Sequence, residues 1–155
     1  YKMHKLRIYI DTSVIGGCFD KEFAEWSNKL FELIKTGYIT ALISEVTTLE
    51  IEPAPINIKN KLKELPAHNV EFIEITEEAE YLASKYIENK AISKKFQEDA
   101  LHIAIATINK ADVLVSWNFK HIVNLRRIRL YNSINLVNNY QQTEIRTPRE
   151  VIENE

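Results

Sequence analysis

The order of apolar runs predicts an α/β chain, a three-layer α/β/α arrangement around a central parallel sheet of four to five strands. Three observations predict it. Short runs rich in β-branched and aromatic residues (Leu6 to Ile10, Ile39 to Ile43, Val70 to Ile75 and Val113 to Trp117) alternate with longer stretches of helical spacing. Strands that alternate with helices imply a parallel sheet covered on both faces. The first run ends at an acid, Asp11, followed by Thr12, Ser13 and the pair Gly16-Gly17. That acid falls at the carboxyl edge of the sheet, where open α/β folds bind ligands.

Each element follows from local pattern. Leu6 to Ile10 is too short for a helix and reads as a buried strand. Glu22 to Thr36 carries Phe23, Trp26, Leu30, Phe31, Leu33 and Ile34 at helical spacing, and Gly37 is a C-terminal stop. After the strand Ile39 to Ile43, Ser44 can cap a helix over Glu45 to Glu52, which Pro53-Ala54-Pro55 ends. A further helix is expected over Ile56 to Leu65, stopping at Pro66. Thr76 caps a helix over Glu77 to Asn89 whose Glu78, Glu80 and Glu88 face solvent. Ser93 to Lys110 reads as the most buried helix, because Ala100, Leu101, Ile103, Ala104, Ile105, Ala106 and Ile108 leave almost no polar face. Ile128 to Tyr131 reads as a short fifth strand, and a last helix begins at Arg149.

Length and composition bound the rest. The 155 residues suffice for a single domain spanning 1–155 with a proper core. Formal net charge is -2, so no overall basic field announces a nucleic-acid binder, although a local basic patch can coexist with an acidic site. Cys18 is the only cysteine, which excludes an internal disulfide and fits a reducing, cytoplasmic compartment. No apolar run reaches the roughly 18 residues that span a bilayer. Tyr1 to Lys5 lack the apolar core of a signal peptide, and Met3 is expected as the natural start.

The acids are unevenly divided, 18 Glu against 4 Asp. Glu is a good helix former and can be spent on solvated faces, whereas the short, stiff Asp is more telling by position. Asp11 admits two readings: a metal ligand beside the hydroxyl donors of Thr12 and Ser13, or a turn or helix cap, which all three residue types favour. Other acids that the topology brings toward the same edge are one of Glu45, Glu50 or Glu52, then Asp99, then Asp112 or the amide Asn118. Asp99 and His102 lie one turn apart and share a helix face. Carboxylates converging without Lys or Arg between them repel, and a hard divalent cation removes that penalty. Oxygen-only donors suit Mg²⁺ or Mn²⁺ better than zinc.

Taken in order, Ile8 to Ser13, Ser44 to Ile51, Asp99-Ala100-Leu101-His102-Ile103-Ala104 and Asp112 to Asn118 resemble the PIN-domain nucleases, many of which are VapC-type toxins. The resemblance runs from Lys5 to Pro148. It implies a PIN-like fold and metal-dependent hydrolysis of RNA phosphodiesters, with Mg²⁺ or Mn²⁺ as cofactor. By position it makes Asp11, Glu50 and Asp99 the catalytic, metal-binding acids, with Thr12 or Ser13 as the supporting hydroxyl. The family's fourth acid falls at Asn118, which can ligate through its carbonyl oxygen but brings no charge, so one tight metal site is expected. Asp112, at the opposite end of that strand, reads as structural. Lys120, His121, Arg126, Arg127 and Arg129 form the best basic patch for substrate phosphates, with Lys94 and Lys95 ahead of Asp99. The alternative for both clusters is a solvated surface. His102 reads as packing at the core entrance, and Trp117 as core rather than a base-stacking ring. The resemblance also implies a homodimer and an antitoxin partner.

Two rival readings remain. One is a PIN-fold binding module without catalysis, for an RNA or protein partner, which Asn118 supports. The other is a phosphatase with an aspartyl nucleophile of the haloacid-dehalogenase type. That chemistry wants a second acid two residues on, where this chain has Ser13.

Overall fold

A computed structural model of the chain describes residues 5–153. Met3, read as a natural start, lies outside the described residues. Among these, β1 (Leu6–Ile10), β2 (Ile39–Ser44), β3 (Val70–Ile73), β4 (Val113–Val115) and β5 (Ile145–Arg146) form one sheet in the order β3-β2-β1-β4-β5. Every pairing is parallel. The strand order reverses at β1, so its carboxyl end opens onto the crevice where such sheets bind ligands.

Alternation along β1 sorts the two cores. Ile8 and Ile10 face one side and pack with Val14 of α1 (Thr12–Gly17) and Leu30, Phe31 and Ile34 of α2 (Ala24–Lys35). Tyr9 faces the other side. There it meets Leu82 and Tyr86 of α5 (Glu77–Glu88), Ile103 of α6 (Gln97–Ile108) and Tyr131 of α7 (Leu125–Val137). The sheet is thus covered on both faces, which is why its strands read as near-continuous apolar runs. Two short helices, α3 (Glu45–Ile51) and α4 (Ile56–Lys63), follow β2, and α8 (Pro148–Glu153) closes the described chain against α2.

The helical and strand expectations hold with shifts at the ends. Gly37 ends α2 at a φ of +83°, a conformation glycine adopts without strain, and the Tyr38 N–H closes the turn on the Leu33 carbonyl at 2.9 Å. Thr76 caps α5 by accepting from the Ala79 N–H at 3.2 Å. The expected helix from Ser93 begins as a 3-10 turn, Lys94–Phe96, before α6 proper. One expectation is overturned: Ile128 to Tyr131 is not a strand but lies inside α7. Its β-branched and aromatic residues suggested a strand, yet Tyr131, Ile134 and Asn135 are buried at helical spacing. The fifth strand is instead the two-residue β5, paired with β4.

The amino edge of the sheet is tied by one arginine. Arg7 forks onto Glu71 through two 2.8 Å bonds and donates to the carbonyls of Asn109 and Lys110 at 3.0 and 3.1 Å, beyond the C-terminus of α6. Its backbone N–H donates to Asp112 Oδ2 at 2.8 Å, so Asp112 has the structural place expected of it. A cation there also complements the negative end of the helix dipole.

Near the opposite edge, α1 packs through Gly17 against Ser27 of α2 and against Trp117, two residues beyond β4. A Cβ at this position would stand 2.7 Å from both Ser27 Oγ and Trp117 Nε1, and those two atoms are themselves hydrogen-bonded at 2.9 Å. Neither side chain can retreat, because Ser27 is fully buried and the Trp117 ring is stacked on Phe23 at 4.2 Å between ring centres. Gly17→Ala is therefore expected to destabilise the chain by about 1–3 kcal/mol, the usual cost of overpacking. Urea unfolding of the two proteins measures it, and equal midpoints would show that the packing around Gly17 is loose.

Candidate functional site

The β1–β4 register pairs Ile10 with Val115, so the next residues, Asp11 and Ser116, meet at the carboxyl edge. Asp11 is only 3% exposed. It occupies the N-cap position of α1 without a side-chain capping bond, so the capping reading of its carboxylate does not hold. The carboxylate instead accepts hydroxyl hydrogens from Ser13 (2.7 Å, Oδ1) and Ser116 (2.7 Å, Oδ2). Ser13 is fixed in turn by the Trp117 backbone N–H at 2.9 Å.

Glu50 arrives from the last turn of α3. Its Oε1 accepts from Thr12 Oγ1 at 2.6 Å and lies 2.6 Å from His102 Nε2 on α6. His102 is 1% exposed, and its other ring nitrogen lies 2.6 Å from the Tyr9 hydroxyl, which lies 2.7 Å from Ser44 Oγ. Ser44 precedes α3 as expected, but its hydroxyl goes to Tyr9 and makes no cap. Asp99 sits in the first turn of α6, where the helix dipole favours an acid. Asn118 Nδ2 donates to Asp99 Oδ2 at 3.2 Å, and the Asn118 N–H donates to Ser116 Oγ at 2.9 Å. One web of hydrogen bonds therefore joins residues 11, 99 and 118 through Ser116, and a second ties Glu50 to Thr12, the residue after Asp11, and to His102, three residues beyond Asp99.

The acids feel one another. Burial pushes the Asp11 carboxyl up, against the pull of His102 and of the Ser116 and Ser13 hydroxyls, and Glu50 pushes it further. Burial, with the charges of Asp11 and Glu50, raises Asp99 to about 6, against the pull of His102 and Asn118. Burial works upward on Glu50 as well, but the His102 contact and the Thr12 hydroxyl outweigh it and hold Glu50 below its usual value. No lysine or arginine among the described residues pairs with any of the three.

The donors are all oxygen, the set a hard divalent cation takes. As they stand, no three His, Cys, Asp or Glu side chains among the described residues are arranged to hold a metal ion. Glu50 is engaged with His102 and Thr12, and Asp11 with its two serines. The chemistry of the donor set fits such an ion nonetheless: a 97% buried carboxylate without a lysine or arginine partner, raised by burial and by the nearby Glu50 charge, beside Asp99, which burial and the charges of Asp11 and Glu50 raise.

Of the expected phosphate-binding residues, Lys120 and Arg126 are exposed, as are Arg129, Lys94 and Lys95. Arg127 is half-buried and donates to the Ala91 carbonyl at 2.6 Å. His121 is 7% exposed and lies against the Phe96 ring at 3.8 Å; burial, then the Arg127 and Lys120 charges, hold its pKa down. Trp117 is core, as its strand position implied, at 8% exposure. A cavity of about 600 Å³ between α7 and β5, lined by Asp112, Arg129, Asn132 and Arg146 among others, contains none of the three acids.

The sequence reading makes Tyr9 a strand residue, Ser44 a helix cap and His102 a packing residue, and none of the three a partner of Glu50. The available signal was polarity out of place: a tyrosine inside an apolar strand, a serine ending another, and a histidine on the buried helix, one turn from Asp99.

The site makes a pH dependence. Asp99, ordinarily near 3.8, keeps its proton in the metal-free folded chain up to about 6. Across that interval the folded state binds more protons than the unfolded one, so this group's contribution to stability falls as pH rises. The gap in urea midpoint between Asp99→Asn and the parent protein should therefore shift in the variant's favour from pH 4 to pH 7. A gap that does not change with pH contradicts the crowding of the acids.

No family model matches the sequence, and no curated protein does. Solved structures do match. FitAcB from Neisseria gonorrhoeae is 15% identical, with 92% of this chain and 98% of that one covered at a TM-score of 0.57. Mycobacterium tuberculosis VapC20, a Sarcin-Ricin loop cleaving toxin, is 12% identical over 74% of this chain and 92% of that one, also at 0.57. VapBC2 from Rickettsia felis, bound to a DNA fragment from its promoter, is 19% identical over 74% and 90%, at 0.54. No helix among the described residues is long and apolar enough to cross a membrane. At these identities the likeness carries the architecture alone, and the all-parallel sheet in the order β3-β2-β1-β4-β5 between helical layers gives this chain the PIN-like α/β fold of the VapC and Fit structures.

Proposed function

We propose that the chain, as one domain over residues 1–155, is a metal-dependent ribonuclease and the toxin of a toxin–antitoxin pair. The observation that carries this reading is the gathering of Asp11, Glu50 and Asp99, from three separate elements, at the carboxyl edge of the sheet: Asp11 and Asp99 are linked through Ser116 and Asn118, Glu50 is held by Thr12 and His102, and the Glu50 charge acts on both other acids. Asp11, Glu50 and Asp99 would hold Mg²⁺ or Mn²⁺, with Asn118 as a neutral fourth donor. When bound, such an ion supplies Lewis acidity for hydrolysis and offsets negative charge on the phosphate.

The chain's own residues then have distinct tasks. Ser13 and Ser116 fix both oxygens of Asp11, and Thr12 and His102 fix one oxygen of Glu50. Thr12 and Ser13 thus serve substrate only through the acids they hold. Lys120, exposed in the loop after β4, and Arg126, exposed in the first turn of α7, are the cations of the patch that would meet the RNA backbone, while Arg127 is tethered to Ala91. VapC20 is by name a toxin that cleaves the Sarcin-Ricin loop, and VapBC2 was solved on promoter DNA. By analogy an antitoxin partner, a homodimer and an intracellular site of action belong to the proposal. The rival reading, a PIN-fold binding module, is favoured by the uncharged Asn118, since one acid fewer weakens the hold on a second cation.

Asp11→Asn, Glu50→Gln and Asp99→Asn are each expected to lower Mn²⁺ affinity and to slow RNA cleavage at least about 100-fold, the scale of one transition-state charge contact. All three should fold, because removing a crowded charge relieves repulsion. Thermal unfolding of the parent should rise with Mn²⁺. Cleavage that survives all three changes, or a Tm indifferent to Mn²⁺, leaves the binding-module reading. Separately, Lys120→Ala with Arg126→Ala should weaken RNA binding and flatten its logarithmic salt slope by about 1.4, two single-strand phosphate contacts. An unchanged slope would place the RNA path elsewhere.

A further inference from the structure

The Glu50 side chain belongs to the most exposed of the three acids. It stands on the last turn of a seven-residue helix beside exposed Leu49, and its side chain is 32% exposed, whereas Asp11 is buried. A long, flexible carboxylate does not hold one direction unless neighbours hold it. Its inward neighbour is His102, and behind His102 stands a chain of side chains that are all within 1% of full burial: Tyr9 on the central strand and Ser44 at the end of β2. These bonds link residues 35, 52 and 93 positions apart, so no local turn geometry accounts for them.

The order of atoms gives the chain a direction. Glu50 is an acceptor when ionised, so the facing His102 Nε2 carries a hydrogen. A histidine ring can turn over about χ2 with little preference. Such a flip would put a carbon where each nitrogen stands, so the Tyr9 hydroxyl, 2.6 Å from Nδ1, holds the ring in the orientation that points Nε2 at Glu50, and Ser44 orients that hydroxyl in turn. Outer-shell partners of this kind set the affinity of ligating carboxylates for their metal.

We propose that His102 is a positioning residue: the buried chain Ser44–Tyr9–His102 anchors the Glu50 carboxylate to the sheet so that it can serve a divalent cation together with Asp11 and Asp99. This rests on the metal reading of those three acids given above. Thr12 holds the same Glu50 oxygen from the solvent side, so removal of His102 leaves the acid tethered by one flexible contact in place of two.

The test is Mn²⁺ affinity by isothermal titration calorimetry on the full chain, with metal-free thermal unfolding alongside to count the folded fraction. His102→Phe keeps a ring and removes the donor; it is expected to weaken Mn²⁺ roughly 10-fold or more. His102→Gln puts an N–H back near the Nε2 position and should recover most of the loss. Tyr9→Phe leaves His102 in place but frees its ring, and should weaken Mn²⁺ a few-fold. A purely electrostatic role predicts the opposite sign for His102→Phe, because losing a group that draws on the acids' charge would tighten the cation. A purely packing role predicts unchanged affinity of the folded fraction, and either result overturns the proposal. Should His102→Phe fail to fold, Tyr9→Phe and His102→Gln decide: affinity equal to the parent in Tyr9→Phe, with Gln no better than the parent's Glu50→Gln, refutes it. Absence of Mn²⁺ binding by the parent itself instead refutes the metal reading.

Discussion

A carboxylate held out of water without a cation is the constraint on which this molecule turns. Asp11 is buried at the end of the central strand and is satisfied only by hydroxyls, from Ser13 and Ser116. Hydroxyls satisfy the hydrogen-bonding capacity of an acid but leave its charge in place, and burial of that charge is costly. Burial is the main reason that the proton affinities of Asp11 and Asp99 are raised, and the Glu50 charge brought to the same edge adds to both. A fold selected for stability alone would place an arginine here, as it does at the other edge.

That other edge supplies the contrast. Arg7 there pairs with Glu71 and reaches the carbonyls that follow α6, while Asp112 takes the Arg7 backbone N–H. The same helix thus has its C-terminal end neutralised by a cation and its N-terminal turn loaded with an acid, each favourable for the helix dipole. One pole of the sheet is electrostatically closed and holds the strands in register. The other is left open, with acids collected and no lysine or arginine among the described residues pairing with them, which is the usual mark of a site whose purpose lies outside stability.

Much of this was legible in the residues. The strand ending in Asp11, the Ser44 helix carrying Glu50 and the buried helix starting near Asp99 each have a strong local signature, and the alternation of elements forces the parallel sheet. What failed to show was either short or distant. Strand β5 has two residues, too few for a propensity signal, and Ile128 to Tyr131 imitated it with β-branched and aromatic side chains inside α7. The partners of Glu50 were hidden for a different reason: Tyr9, Ser44 and His102 meet only across the fold, and each has an ordinary local explanation as strand, cap or core. Likewise the run Lys120 to Arg129 reads as a uniform basic patch, although the fold buries His121 against Phe96 and ties Arg127 to Ala91.

The central claim is that the uncompensated edge is the seat of one divalent cation. Anomalous difference density from crystals soaked in Mn²⁺ addresses it directly, since it locates the ion without reference to activity. The account predicts one strong peak touching carboxylate oxygens of Asp11, Glu50 and Asp99, with Asn118 beside it. Strong peaks elsewhere on the molecule, with that edge empty at saturating Mn²⁺, would contradict it.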